Sequence, residues 1–138
     1  MMMYVFTYGI LTNTRVMKQF VGKIIDLGRV TLQGYRLELR QYYSVTQDSS
    51  TSVEGVLWGI TEDDLISLDY CEGYPVLYQR SEVTVSTGQV AWVYHDCANE
   101  LSHPESAVAQ SPSNIVCDGY AEHGIRSSQL QNVLLQSA

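Results

Sequence analysis

The chain is poor in basic residues: 8 Lys and Arg stand against 15 Asp and Glu, for a net charge of −7. The few cations are scattered and form no stripe that could pair with phosphates, which argues against a nucleic-acid partner. Long hydrophobic runs are also missing. None approaches the roughly 20 apolar residues that span a bilayer, so no membrane partner is expected. The opening "MMMYVFTYG" has neither the basic region nor the apolar segment of a secretory signal. Cysteine is scarce, and Cys71, Cys97 and Cys117 cannot all pair within one chain. Their number and spacing predict reduced, packed thiols and a cytoplasmic setting. The chain has no phosphate-binding glycine loop and no G-x-S-x-G elbow. His95, Cys97, His103, Cys117 and His123 follow no recognised zinc spacing, so no metal site is expected.

What is present suits one soluble domain. At 138 residues, 45% hydrophobic and 17% charged, the chain can bury roughly two thirds of its unfolded surface without disulfide staples. Met3 to Tyr8 is crowded with β-branched and aromatic residues and reads as a first strand. It stops at Tyr8-Gly9, where glycine permits a turn or the close approach of a ligand to main chain. Asn13 or Thr14 then caps a short helix through Phe20. Ile24 to Val30 and Tyr35 to Tyr42 read as two strands, with Gly28 and Gly34 marking bulges or turns. The polar stretch Ser44 to Ser52 reads as a loop, and Val53 to Ile60 as a strand.

Thr61 is a good N-cap with Asp64 three residues on, so a helix is predicted from there to about Glu72. Gly73 stands where a left-handed cap belongs, and Pro75 blocks continuation. Leu77 to Ser86 and Gln89 to His95 read as a hairpin around Thr87-Gly88. Asp96 to Gln110 reads as irregular. A helix is predicted from Ser111-Pro112 to Gly124, and a last one is capped by Ser127, with Leu130, Val133 and Leu134 on one side. The order is not a regular βαβα alternation. It predicts an α+β domain: a strongly curved mixed sheet or small barrel with flanking helices.

Glu72 is the most informative residue. Leu65, Leu68 and Glu72 lie at i, i+3 and i+7 of one helix face, so a carboxylate extends an apolar stripe. It also sits at the helix C-terminus, where another anion is disfavoured, with Asp69 one turn back. Burial, dipole and like charge all push such a pKa upward, as proton transfer near neutral pH requires. A frayed helix end would instead leave Glu72 exposed or paired with Arg80, and spacing alone leaves both readings open. Cys71, beside it, has no assignable base to make it a nucleophile. Tyr78 and Tyr94 fall on the two strands of the predicted hairpin, each sharing a face with Arg80 and Trp92. They either shape a pocket or simply pack.

Several stretches together resemble the γ-glutamyl cyclotransferase-like superfamily. "YVFTYGIL" looks like its Y-G-[ST]-L opening. "VEGVLWGITEDDLISLDYCEGYPVLYQRSEVTV" resembles its central block, which runs from a V-x-G strand through a helix ending L-D-x-x-E-G to a P-x-x-Y-x-R strand. "VAWVYH" is similar to the following strand, and "NIVCDGYAEHGIRSSQLQNVL" looks like the I-x-x-G-x-x-E-x-G-[LI] helix pair of one branch. The resemblance implies a small barrel-like mixed fold and an enzyme that needs no cofactor. Its partner would be a small γ-glutamyl amide, converted to 5-oxoproline and a free amine. Glu72 would be the catalytic acid/base, and Tyr8, Gly9, Ile10 and Leu11 would hold the glutamyl moiety, largely through main chain. Ile10 departs from the family's Ser or Thr, and the central block and the tail look like different branches. A binding module on the same fold, without turnover, is the alternative that Ile10 keeps open.

Overall fold

The structure, a computed structural model, describes residues 2–39, 43–96 and 114–137. Its elements in chain order are β1 (Met3–Thr7), a 3-10 turn (Ile10–Thr12), α1 (Thr14–Phe20), β2 (Ile25–Leu39), β3 (Tyr43–Ile60), α2 (Glu62–Glu72), β4 (Tyr78–Thr84), β5 (Val90–Asp96), α3 (Asn114–His123) and α4 (Ser128–Ser137). The strands form one five-stranded mixed sheet in the order β2-β3-β1-β5-β4. β1 runs antiparallel to β3 and parallel to β5. Flanked on both sides, it buries Val5, Phe6 and Thr7 in succession, the near-continuous run expected of a central strand. Trp58 of β3 is fully buried beside it, and its indole Nε1 donates to Thr7 Oγ1 at 2.9 Å.

The expected fold class holds, with a curved sheet rather than a barrel: among the described residues β2 and β4 remain its edges. Two corrections explain the curvature. The stretches read as separate strands at 24–30 and 35–42 are, as far as Leu39, one strand, β2, interrupted by register shifts at Asp26/Arg29 and Gln33/Tyr35. Gly28 and Gly34 sit there at φ 87° and 81°, conformations that a side chain would resist. The stretch Ser44 to Ser52, read as a loop, belongs to β3. Its pairing steps from Gln33↔Ser52 to Tyr35↔Gln47, so residues 48–51 bulge out opposite Gly34. An Asp48–Ser50 turn closes the bulge, and the Thr51 hydroxyl donates to the Tyr35 carbonyl at 2.6 Å. Polarity misled the reading because most of residues 46–52 face solvent, while Leu37, Ser44 and Val45 are buried and the ladder and the Arg36–Glu38–Thr46 contacts hold the rest.

Beyond the bulge the arm folds back across the sheet. Asp96 N–H at the end of β5 donates to the Ser44 hydroxyl at 2.8 Å. Tyr78 of β4, on the far edge, donates to the Tyr43 carbonyl at 2.5 Å. The sheet therefore curls until its two ends nearly meet.

The helices start and stop where their caps require. Asn13 accepts the Val16 N–H and donates to the Ile115 carbonyl, so one side chain caps α1 and ties it to α3. Thr61 and Asp64 form a reciprocal capping box at the start of α2, and Gly73 ends that helix at φ 68° and ψ 32°. The predicted hairpin is present as β4 and β5, with Gly88 in its turn. The irregular stretch after Asp96 and the Ser111-Pro112 helix start lie outside the described residues; the helix itself appears as α3, followed by Gly124 at φ 71°. Cys71 and Cys117 are free of disulfides but exposed, not packed as the sequence suggested, because each sits on the solvent side of its helix, and Cys97 lies outside the described residues. Among the described residues no helix is long and apolar enough to cross a membrane.

α3 packs directly on the turn that follows β1. A Cβ at Gly119 would stand 2.3 Å from Thr12 Oγ1 and 2.7 Å from the Asn13 nitrogen. Gly119→Ala should therefore push α3 off the turn. It is expected to cost about 1–3 kcal/mol in urea unfolding, the usual range for overpacking, whereas Gly22→Ala, with nothing within 4 Å, should cost far less.

Candidate functional site

Glu72 is the last residue of α2. Leu65 and Leu68 on its face are 4% and 0% exposed, so the apolar stripe is real. The carboxyl is partly buried and has no hydrogen-bond or ion-pair partner among the described residues. Burial raises its pKa from the ordinary 4.5 to about 7, because the charged form loses hydration that nothing replaces. Arg80, the pairing partner that the sequence left open, binds Asp69 instead: Nε donates to Oδ1 at 2.8 Å. Cys71 beside Glu72 is pushed up to about 11 by desolvation first and by the Glu72 charge second. It stays a thiol at neutral pH, which makes it a poor nucleophile.

Phenols stand around this carboxyl. Tyr8, just past β1, and Tyr94 of β5 lie within reach of the Glu72 charge, and Tyr78 of β4 stands near Tyr8. Burial holds the Tyr8 phenol far above its ordinary pKa, and the neighbouring Tyr78 and Glu72 add to the shift. Tyr94 is likewise raised by burial first, then by Asp69, with Glu72 contributing. These hydroxyls are committed to protein acceptors. Tyr8 donates to the Tyr94 carbonyl at 2.5 Å, and Tyr94 donates to Asp69 Oδ1 at 2.6 Å. The Ser44 hydroxyl also hydrogen-bonds Tyr8.

Gly9, Ile10 and Leu11 follow in the 3-10 turn. Every carbonyl from Tyr8 to Leu11 has an internal donor. Tyr120 Oη serves Tyr8 at 2.7 Å, and the Thr12 hydroxyl and N–H serve Gly9 at 2.6 and 3.0 Å. Asn13 N–H serves Ile10 at 3.2 Å, and the Thr7 hydroxyl serves Leu11 at 3.2 Å. The N–H groups of Gly9, Ile10 and Leu11 meet no acceptor among the described residues. The turn thus offers donors only, which suits a carboxylate or carbonyl oxygen. The Leu11 side chain points into the core, whereas Ile10 is 47% exposed. The Ile10 departure is therefore made at the surface of the turn.

Sequence reasoning missed Ser44, Asp69, Tyr74, Arg80 and Tyr120 as supports of this arrangement. Asp69 and Arg80 stand inside the quoted L-D-x-x-E-G and P-x-x-Y-x-R patterns, which were the available signal. Ser44 was hidden by its polar context. No cluster of three or more potential metal ligands occurs among the described residues. A separate open groove of about 250 Å³ lies between the β2–β3 arm and α4, lined by Arg36, Leu37, Thr51, Gln129 and Val133 among others. It contains none of the residues singled out above, and its arginines are already paired, Arg36 with Glu38 and Asp48, and Arg126 with Glu54.

Comparison with known proteins gives the family and the fold. The model of the family described as "Gamma-glutamyl cyclotransferase, AIG2-like" matches residues 5–112. The chain belongs to that family. Its fold is similar to that of a solved γ-glutamyl cyclotransferase, with a TM-score of 0.78 at 22% identity, over 96% of this chain and 86% of that one. An uncharacterized human protein gives 0.77 at 23% identity, over 96% and 86%. An AIG2-like protein from Mus musculus gives 0.62 at 21% identity, over 81% and 86%. A search of curated proteins finds no match.

The raised carboxyl has a consequence for folding. Its folded-state pKa of about 7 lies above the ordinary 4.5. The folded chain therefore binds this proton more tightly than the unfolded chain does. On that account stability is greatest below about 4.5 and is lost as pH rises to about 7. Glu72→Gln, always neutral, should escape the loss. Denaturant titrations should show it more stable than wild type at neutral to alkaline pH by on the order of 1–2 kcal/mol. That figure is discounted for partial exposure from about 1.4 kcal/mol per tenfold change in proton affinity. The gap should close in acid; a gap independent of pH would refute the burial.

Proposed function

We propose that the protein converts a γ-glutamyl amide, a γ-glutamyl amino acid or γ-glutamylamine, into 5-oxoproline and a free amine, with Glu72 as the general acid and base. The observation that carries this reading is a partly buried carboxyl with a pKa raised to about 7 and no hydrogen-bond or ion-pair partner among the described residues, at the position of the family's L-D-x-x-E-G glutamate. A group poised near neutrality can accept a proton and return it in the same cycle.

In the reaction the substrate's α-amino nitrogen attacks its own γ-carbonyl carbon. A five-membered ring closes, and the bond from that carbon to the leaving nitrogen breaks. Glu72 takes one proton from the α-ammonium so that the nitrogen's lone pair is free, and hands it to the departing nitrogen; once the ring has closed it relays the ring nitrogen's second proton in the same way, so the amine leaves as its ammonium. No net proton is gained or lost by the enzyme. Because the nucleophile is tethered, orientation does much of the work, with effective molarities of roughly 10⁵–10⁸ M in well-placed systems. The N–H groups of Gly9, Ile10 and Leu11, which meet no acceptor among the described residues, would receive the α-carboxylate or the oxygen that gains charge. Tyr8, Tyr78 and Tyr94 would wall the glutamyl moiety, with the Tyr8 and Tyr94 phenols held neutral by burial. No cofactor enters this scheme, and a cytoplasmic setting with reduced thiols fits it.

The alternative is a binding module that holds a γ-glutamyl compound without turning it over. It draws on Ile10, which puts an apolar side chain where the family has a hydroxyl. One experiment separates the two. The protein is incubated with a panel of γ-glutamyl amino acids and γ-glutamylamines, and 5-oxoproline is followed. Wild type should release it from some member, with kcat/KM rising with pH to a plateau above about 7. Glu72→Gln should lower kcat by about 10²–10⁴-fold. Equal rates in the two proteins would remove Glu72 from its role, and binding without product would favour the module.

A further inference from the structure

The residues around Glu72 form a closed clasp. Asp69, one helical turn earlier, accepts Arg80 Nε–H at 2.8 Å and Tyr94 Oη–H at 2.6 Å on the same carboxylate oxygen. The Arg80 guanidinium lies over two rings, its carbon 4.8 Å from the Tyr74 centroid and 4.4 Å from the Trp92 centroid. Tyr74 completes the circuit, since its backbone N–H donates to the Asp69 carbonyl at 2.9 Å across the Gly73 cap. The path runs from the Asp69 carboxylate to Arg80, to the Tyr74 ring, to the Tyr74 N–H and back to the Asp69 carbonyl. Residues 70–73, Glu72 among them, lie inside that loop of contacts.

The clasp also joins the helix end to the phenols. Tyr94 grips Asp69 with its hydroxyl while its own carbonyl accepts the Tyr8 hydroxyl at 2.5 Å. A helix C-terminus left alone frays. Here the last turn of α2 is fastened to β4 and β5 by a charge-assisted bond, a phenol and a stacked ring.

We propose that Asp69 is a positioning residue for Glu72: its carboxylate, gripped by Arg80 and Tyr94, and its carbonyl, capped by Tyr74, hold the turn bearing Glu72 against the sheet. Asp69 touches no reacting atom in this scheme. It acts by fixing where Glu72 stands and how little water reaches it. The groups that sense the Glu72 carboxyl are Cys71 on its own helix, Tyr8 at the end of β1 and Tyr94 on β5. Asp69 and Arg80 bear on Tyr94, and Tyr78 and Asp96 on Tyr8.

The kinetic part of this inference rests on the proposed function; the structural part does not. The test therefore has two arms. In the first, the Glu72 carboxyl carbon is followed by NMR against pH in the full chain, its resonance assigned by loss in Glu72→Gln. Wild type should titrate at about 7. In Asp69→Ala the turn loosens, water enters, and the midpoint should fall toward the ordinary 4.5. Tyr94→Phe removes one grip and should fall part of the way; it decides the matter should Asp69→Ala fail to fold. In the second arm, 5-oxoproline release by Asp69→Ala should lose about 10²-fold in kcat, the cost of a misplacement near 1 Å, with KM nearly unchanged. A Glu72 midpoint still at about 7 in the folded variants overturns the proposal whatever happens to activity. Wild type inactive on every γ-glutamyl compound would sink the proposed function and leave the titration arm to judge the clasp.

Discussion

The desolvated carboxyl of Glu72 sets the terms for the rest of the structure. A carboxylate on an apolar helix face without a cation is expensive, because water is withdrawn and no charge is supplied in return. Two responses are open to a chain with such a residue. The helix end can fray and let the group out, or the frame can be rigid enough to keep it in and raise its proton affinity. Every feature near the end of α2 serves the second. The capping box fixes the start of the helix and the left-handed Gly73 fixes its end. Leu65 and Leu68 press its middle into the core, and Asp69 fastens its last turn to β4 and β5.

The strand order explains why the carboxyl meets phenols there. β1 and β5 are parallel, so their C-terminal ends lie on the same side of the sheet. Tyr8 leaves β1 and Tyr94 lies near the end of β5, close enough for a direct bond. The folded-back arm of β3 then supplies Ser44 and Tyr43 from the opposite direction. The 3-10 turn, whose Gly9, Ile10 and Leu11 N–H groups meet no acceptor among the described residues, follows the carboxyl end of β1 on that same side. The bulge opposite Gly34 precedes the part of the arm in which Ser44 and Tyr43 meet β5 and β4.

Much of this was legible in the sequence where short-range chemistry decides the outcome. The capping pair Thr61 and Asp64, the Gly73 stop, the Asn13 cap and the Gly88 turn each follow from local rules and stand where those rules put them. The Leu65–Leu68–Glu72 face was readable from helical periodicity alone. What escaped was long-range. Residues 44–52 are polar because that arm is half exposed, and composition cannot distinguish a solvated strand from a loop when the partner strand supplies the stability. The joining of 24–30 to 35–39 into one strand was hidden by two glycines that mark bulges as readily as turns. The Asp69–Arg80–Tyr74 circuit spans a helix, a cap and a strand, and sequence spacing alone does not bring them together. The sequence offered Arg80 as a partner for Glu72; the packed structure assigns it to Asp69 and gives Glu72 no partner among the described residues.

That assignment has a chemical logic. Had Arg80 paired with Glu72, the cation would have held the carboxyl ionised well below neutrality, a weak base and no acid at all. Had Asp69 lacked a cation, two carboxylates one turn apart would have raised each other without control. Pairing Arg80 with Asp69 removes the nearer negative charge from consideration and leaves burial as the cause that tunes Glu72. The phenols complete the arrangement. Buried and neutral, Tyr8 and Tyr94 add polar walls without adding charge. Of the ten tyrosines in the chain, Tyr8 and Tyr94 stand where they feel the Glu72 charge; both, like Tyr78, spend their hydroxyl protons on main-chain or Asp69 acceptors, so none of the three gives that proton to Glu72.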